Sequence, residues 1–328
     1  MTCTRPYRKG ISISRAMGFR RLFTVGLILM LWIPLAGCNA LNLNQEEGGP
    51  PKVGLILMSS PDEVHSEGYY GYLALKALEQ RYGVAIAYNE NVTSEDGASY
   101  LLSSYGKNGY DLVIAVGEWF TGPMETLAGS YPATQFVCIN GSKSADNLTS
   151  YDLPDEDLAY LSGALTAAMS TGQNTIGLVL PEGEASRVDS FRKGASAIRS
   201  GIGVTEFRVK GTASFEELVG NLNVSYIRSV GLYVNSGDLE TKMKESGISA
   251  AVVGGYRGAT EPSRASWPRI AFDYTLMFSR VYEDYLGGKL GGVGQSMGFR
   301  EKFLYVDSLA GIDPGYKAAV DGIVAGLK

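Results

Sequence analysis

Asp111–Val116 reads DLVIAV. Five consecutive apolar residues with no alternation, three of them β-branched, are expected to form a short strand buried on both faces, as in a parallel sheet covered by helices. The turn-like sequence Gly117-Glu118-Trp119-Phe120 follows at once. Working outward, the same grammar repeats. Upstream, Lys52–Met58 (KVGLILM) is a first apolar run, and Tyr69, Leu73, Leu75, Leu78 and Tyr82 recur at helical spacing within Glu67–Tyr82. Val84–Tyr88 reads as a second strand and Glu95–Tyr105 as a second helix. Downstream, Gln135–Ile139 (QFVCI) follows another helix as a fourth strand.

The second half continues the alternation. Asp155–Ser170 is expected as a helix with small residues along one side, Thr175–Leu180 (TIGLVL) as a strand, Ala185–Ser200 as a helix and Val204–Val209 as a strand. A helix near Phe215–Leu222, a strand at Ser229–Val234, a helix at Leu239–Ser246 and a strand at Ala250–Gly254 come next. The tail adds a strand at Arg269–Phe272, a helix at Tyr274–Leu286, a short strand near Ser296–Phe299 and a last helix over Pro314–Leu327. The fold class implied is α/β, with two Rossmann-like lobes whose parallel sheets are flanked by helices around a hinged cleft. The expected division gives residues 52–150 plus about 262–295 to the first lobe, and 151–261 plus about 296–328 to the second.

Composition removes several function classes. The chain has 328 residues, 45% hydrophobic and 19% charged, with a formal charge of -5. It is too apolar for disorder, and it lacks the basic field that nucleic acid phosphates require. Three cysteines, Cys3, Cys38 and Cys138, show no zinc or dithiol spacing. The single histidine, His65, leaves few metal sites or imidazole-dependent catalytic arrangements open. No phosphate-cradling glycine loop or nucleophile elbow is present. The expectation is therefore a protein that is not an enzyme and holds no cofactor or metal.

The N-terminus reads as an address. Arg20-Arg21 precede an apolar stretch, Leu22–Leu35, that ends in Ala36-Gly37-Cys38. This is the three-part pattern of a secretory signal over residues 1–37, with Met17 a better start than Met1. Leu35-Ala36-Gly37-Cys38 looks like a bacterial lipobox, in which the Cys38 thiol takes a diacylglycerol. Residues 38–51 then form the lipidated cysteine and a polar tether ending in Gly48-Gly49-Pro50-Pro51. The expected location is the cell envelope: lipid-anchored, extracytoplasmic, and on the periplasmic face in a Gram-negative cell.

In open α/β sheets, ligands bind beyond the carboxyl ends of the strands. The residues standing there are Asp62; Glu118, Trp119 and Phe120; Asn140; Asn235 and Asp238; Tyr256 and Arg257; and Asp273. These ten are the expected ligand-binding set. Carboxylates, amides and aromatics together suit a planar, hydroxylated small molecule.

Several segments resemble the basic membrane protein family of substrate-binding lipoproteins. They are Gly68-Tyr69-Tyr70-Gly71, Gly109-Tyr110-Asp111-Leu112-Val113, Tyr131-Pro132, Ala159-Tyr160-Leu161-Ser162-Gly163 and Phe191-Arg192-Lys193-Gly194. The likeness is to PnrA-like and, more closely, Med-like members. It implies a periplasmic-binding-protein-like type I fold, nucleoside binding, and, as partners, the permease and ATPase of an ABC transporter on separate chains. A monomer binding a small-molecule ligand, attached to the membrane by its lipid and engaging no nucleic acid, is expected. Departures from the family pattern leave the ligand open between a nucleoside and a different solute. Only Asp62 matches the family's element after the first strand, Asn140 stands where an Asp is usual, and Gly254-Gly255-Tyr256-Arg257 lacks a carboxylate. The Med-like features also leave open a membrane-anchored sensing or regulatory lipoprotein with no transport role.

Overall fold

The computed structural model describes residues 49–64, 66–182, 186–210, 214–234, 236–256, 266–292 and 294–327. Pro50–Lys328 is one compact unit. The signal segment, Cys38 and the tether up to residue 48 lie outside the described residues.

The first sheet has the order β2-β1-β3-β4-β5, with every pairing parallel. Its strands are β1 (Lys52–Ile56), β2 (Ala85–Asn89), β3 (Leu112–Val116), β4 (Gln135–Ile139) and β5 (Leu148–Tyr151). The intervening helices are α1 (Glu67–Tyr82), α2 (Glu95–Lys107) and α3 (Thr121–Leu127). All of β3 is buried, so its unbroken apolar run matches a strand with helices on both faces. Ser66 starts α1 by accepting the Tyr69 amide at 3.0 Å, and Gly83 ends it in the left-handed region at φ 69°.

The second sheet has the order β11-β10-β9-β8-β6-β7. It comprises β6 (Thr175–Pro181), β7 (Gly203–Val209), β8 (Ser229–Leu232), β9 (Ser249–Tyr256), β10 (Pro268–Phe272) and an antiparallel β11 (Leu304–Leu309). Around it lie α4 (Asp155–Met169), α5 (Val188–Ile198), α6 (Phe215–Val224), α7 (Gly237–Glu245) and α9 (Lys317–Gly326), while α8 (Tyr274–Leu286) packs on α1. Tyr70 stacks on Tyr274 with centroids 6.3 Å apart, and Tyr82 meets Tyr282 at 4.7 Å.

Two features depart from the sequence expectation. β5 is absent from it because its centre, Thr149-Ser150, is polar; both residues are buried, and the Thr149 hydroxyl accepts the Gly291 amide at 2.6 Å. The strand expected near Ser296–Phe299 is a single bridge from Ser296 to Asp152, and the true last strand is β11. β10 pairs with β9 in the second sheet, whereas α8, which follows it, packs on α1. Local pattern marks a strand but not the sheet it joins.

The chain passes between the lobes after β5, after β10 and again at Gln295–Met297. The Asp152 amide donates to Gln295 O at 2.9 Å and the Met297 amide to Asp152 O at 2.8 Å. Asp284, 1% exposed, gathers these crossings. It accepts from the Tyr151 hydroxyl at 2.9 Å and from Arg280 Nε at 2.7 Å, while Arg280 Nη2 donates to Gln295 Oε1 at 2.8 Å.

α4 and α5 cross at backbone contact. A Cβ on Gly163 would lie 2.0 Å from Phe191 O, and one on Gly194 would lie 1.8 Å from Tyr160 O. Gly194→Ala must therefore separate the helices. It is expected to cost about 1–3 kcal/mol or more in a urea unfolding titration. Gly220→Ala, in α6 with nothing within 4 Å, should be neutral or stabilising by up to about 1 kcal/mol.

Candidate functional site

A cavity of about 130 Å³ lies where the carboxyl ends of the two sheets meet. From the first lobe come Glu67, the first residue of α1, together with Gly117 after β3 and Asn140 after β4. Gly117 has φ 113°, and Asn140 sits in the left-handed region at φ 61° with its amide donating to Tyr151 O at 2.7 Å. Asn tolerates that conformation better than most residues, so the turn presents its side chain at the mouth of the cavity.

The other wall is built around Arg187, which stands between β6 and α5. Its Nη2 meets Asp155 Oδ2 at 2.8 Å, and its guanidinium carbon lies 5.3 Å from the Tyr233 ring centroid. The Arg187 side chain is 9% exposed and that of Asp155 38%. Asp155 opens α4, and Tyr233 follows β8, its amide donating to Val179 O at 3.0 Å. Burial pushes the Tyr233 hydroxyl above its ordinary range, against the opposing pull of Arg187. Phe272 and Tyr274, 6.0 Å apart and edge to face, complete the aromatic lining. Burial drives the Tyr274 hydroxyl well above its usual range, with Glu67 adding to the effect. Both phenols thus stay neutral at physiological pH.

Of the residues expected at the site, Asn140 lines the cavity. Phe120 is fully buried in the same apolar cluster as Met124 and is not among the residues lining the cavity. Trp119 is half-buried, edge-on to Phe120 at 4.9 Å, and Glu118 is exposed. Asp62 is exposed in a turn where its amide donates to Ser60 Oγ at 3.2 Å. Asp238 is exposed in the first turn of α7, a favourable position for a carboxylate near a helix N-terminus. Asp273 caps α8, accepting the Leu276 amide at 2.9 Å. Tyr256 ends β9. Asn235 and Arg257 lie outside the described residues, as does His65.

Glu67, Asp155, Arg187, Tyr233 and Phe272, which also line the cavity, were not legible as site residues. Tyr233 lies inside the expected strand Ser229–Val234, Phe272 at the end of the expected strand Arg269–Phe272, and Arg187 within the expected helix Ala185–Ser200. Among the described residues, no group of three or more His, Cys, Asp or Glu is placed to hold a metal ion, and no helix is long and apolar enough to cross a membrane.

Two doubly wound lobes joined by repeated crossings, with a cavity at their strand ends, make this an α/β protein of the periplasmic-binding-protein-like class. Residues 55–215 match the model of the Bmp family, described as ABC transporter substrate-binding protein PnrA-like. It is 28% identical over 177 residues to the transcriptional activator protein Med of Bacillus subtilis, covering 53% of each chain. A purine-binding protein of Brucella abortus is 26% identical over 163 residues, covering 48% of this chain and 45% of that one. An uncharacterized lipoprotein of Pyrococcus furiosus is 26% identical over 162 residues, covering 48% and 40%. The chain thus spans about half the length of these curated relatives, or less. Among solved structures, a transcriptional activator of comK from Bacillus halodurans has the same fold, with TM-score 0.65 at 19% identity over 84% of this chain and 98% of that one. An ABC transporter solute-binding protein of Aeropyrum pernix does so with TM-score 0.64 at 16% identity over 84% and 85%.

Two residues before Asn140, in β4, the Cys138 thiol donates to Gly117 O at 3.3 Å, and burial pushes it up to about 12 from an ordinary value near 9. The thiolate is the reactive form, so iodoacetamide at pH 8 should leave Cys138 unmodified in the native protein and label it fully in urea. Mass spectrometry of the Cys138 peptide reads the outcome.

Proposed function

We propose that the chain is an extracytoplasmic solute receptor, anchored through Cys38, that binds a nucleoside-like molecule between its lobes and delivers it to an ABC importer. The observation that carries this reading is the cavity at the strand ends. It combines ring-bearing walls at Tyr233, Phe272 and Tyr274 with polar groups from both lobes, the mixture that suits a planar ligand with hydrogen-bonding edges. The match of residues 55–215 to the PnrA-like family model supports the receptor role over catalysis, and the similarity to a purine-binding protein supports the ligand class. In such a receptor, lobe closure buries the ligand and the closed form docks on a permease. The permease and ATPase are then separate chains, and the receptor works as a monomer. The lobes proposed are residues 52–150 with α8, and residues 151–256 with β10, β11 and α9.

A second reading, a lipid-anchored sensor without a transporter, is favoured by one observation: the matched relatives include transcriptional activators in both the sequence and the structure comparison. A nearby gene for an ATPase and permeases would favour the importer.

Two experiments test the proposal. In a thermal-shift screen of nucleosides, bases, sugars and amino acids, a ligand at a hundred times its Kd should stabilise the protein by about 2.7 kcal/mol. Tyr233→Ala should reduce that shift strongly, while Trp119→Ala, outside the cavity, should leave it intact; the reverse pattern would place the ligand elsewhere. Separately, Cys38→Ser should abolish incorporation of labelled palmitate in cells, and continued labelling would refute the anchor.

A further inference from the structure

From the charges lining the cavity, we infer that the site accepts uncharged solutes and rejects anionic ones, and that Asp155 sets this selectivity by neutralising Arg187. This rests on the reading of the cavity as a nucleoside-like site and goes further by fixing the charge its ligand can carry.

Among the described residues lining the cavity, Arg187 is the one cation, set against two carboxylates, Glu67 and Asp155. Its charge is already matched: Nη2 meets Asp155 Oδ2 at 2.8 Å, and the Tyr233 ring lies 5.3 Å from its guanidinium carbon. An anionic solute seeking Arg187 must share it with Asp155 or displace it. Either way, two anions crowd one cation at a wall where the guanidinium is nearly buried and water screens poorly. A second hollow, of about 290 Å³, shares Asp155 and Arg187 and adds Glu156 and Asp189, the latter paired with Arg192 at 3.0 Å. On the first lobe, residues 57–66, 90–94, 117–120 and 140–142, beyond the ends of β1, β2, β3 and β4, include Asp62, Glu63, Glu90 and Glu118 and no lysine or arginine. A cleft rimmed by one sign of charge concentrates its field on an entering solute.

Groups at or beside the cavity register that field. Burial raises the Tyr274 hydroxyl and Glu67 raises it further; burial raises the Asp152 carboxyl and Asp155 raises it further. In each case the negatively charged form is disfavoured. An uncharged solute escapes the penalty. A carboxylate has several acceptor sites, so Asp155 can accept from a hydroxyl or ring N–H of the solute while keeping Arg187.

Isothermal titration of the purified protein with adenosine, adenosine 5′-carboxamide and adenosine 5′-carboxylate tests the inference, because the two derivatives match in size and differ in charge. The carboxylate should bind on the order of a hundredfold more weakly than the carboxamide, the scale of one like-charge repulsion at a partly buried site. Raising the salt from about 50 mM to about 500 mM should narrow that gap by screening. Asp155→Asn removes one of the anions around Arg187 and should bind the carboxylate at least about tenfold more tightly than the unaltered protein does. A merely structural role for Asp155 would weaken both derivatives. Glu245→Gln, at the end of α7 far from the strand ends, removes a charge outside the site and should leave the gap unchanged. If Asp155→Asn does not fold, as judged by its circular-dichroism melt, the salt series on the unaltered protein carries the test. Equal affinities for the two derivatives, a gap insensitive to salt, or no gain in the folded variant would overturn the inference, and binding of adenosine would leave the nucleoside-like reading standing. Failure of adenosine and both derivatives to bind would remove the two together.

Discussion

The organisation of this protein depends on strand direction. All pairings in the first sheet are parallel, and so are all in the second except that of β11. A parallel sheet sends every connection out at one edge and back through a helix to the other. The turns at the carboxyl edge are freed from packing and collect polar and strained residues such as Asn140 at φ 61° and Gly117 at φ 113°. Two such edges facing each other leave a gap lined by groups that neither sheet could use in its core. The cavity results from that topology, and its position follows without any single residue having to specify it.

Keeping two such edges in register is a separate task, and a buried carboxylate performs it. Asp284 holds the end of β5 through Tyr151 and the returning segment through Arg280 and Gln295. A carboxylate at 1% exposure is tolerable only with partners of this quality, because an unmatched buried charge is strongly destabilising. The links are directional, so they fix where the chain crosses while the backbone beyond Asp152 and Ser296 pairs by one bridge alone. Hinged proteins need that combination of anchored approaches and a thin connection.

The Arg187–Asp155–Tyr233 group works by a related logic at the cavity wall. Asp155, with its side chain 38% exposed, is too well solvated for the ion pair to add much stability. Its consequence is geometric. A long, flexible side chain is confined to one orientation, with a ring against its face and a carboxylate at its tip. Pre-ordering of this kind lowers the entropy lost when a ligand binds.

Much of the fold was readable in the residues themselves. The buried apolar runs of β1, β3, β4 and β6 and the helical spacing in α1 are local properties, governed by the period of the chain and the need to hide apolar surface. The glycines at the α4–α5 contact stood in segments whose family likeness was visible, although their reason, backbone against backbone, was not. β5 escaped because a polar strand can be buried when other segments satisfy its hydroxyls, a property of those partners and not of Leu148–Tyr151. The site was legible in principle but only partly by name: strand ends located Asn140, yet Asp62, Glu118, Asp238 and Asp273 stand equally near strand ends or turns and serve the surface or a helix start. Sequence alone determined most of the strands and helices, β5 and β11 excepted, because those patterns are local. Only the tertiary structure decided which side chains face one another across the gap, because facing depends on how two sheets are mutually placed, and that is set by long-range contacts such as those of Asp284 that no local pattern encodes.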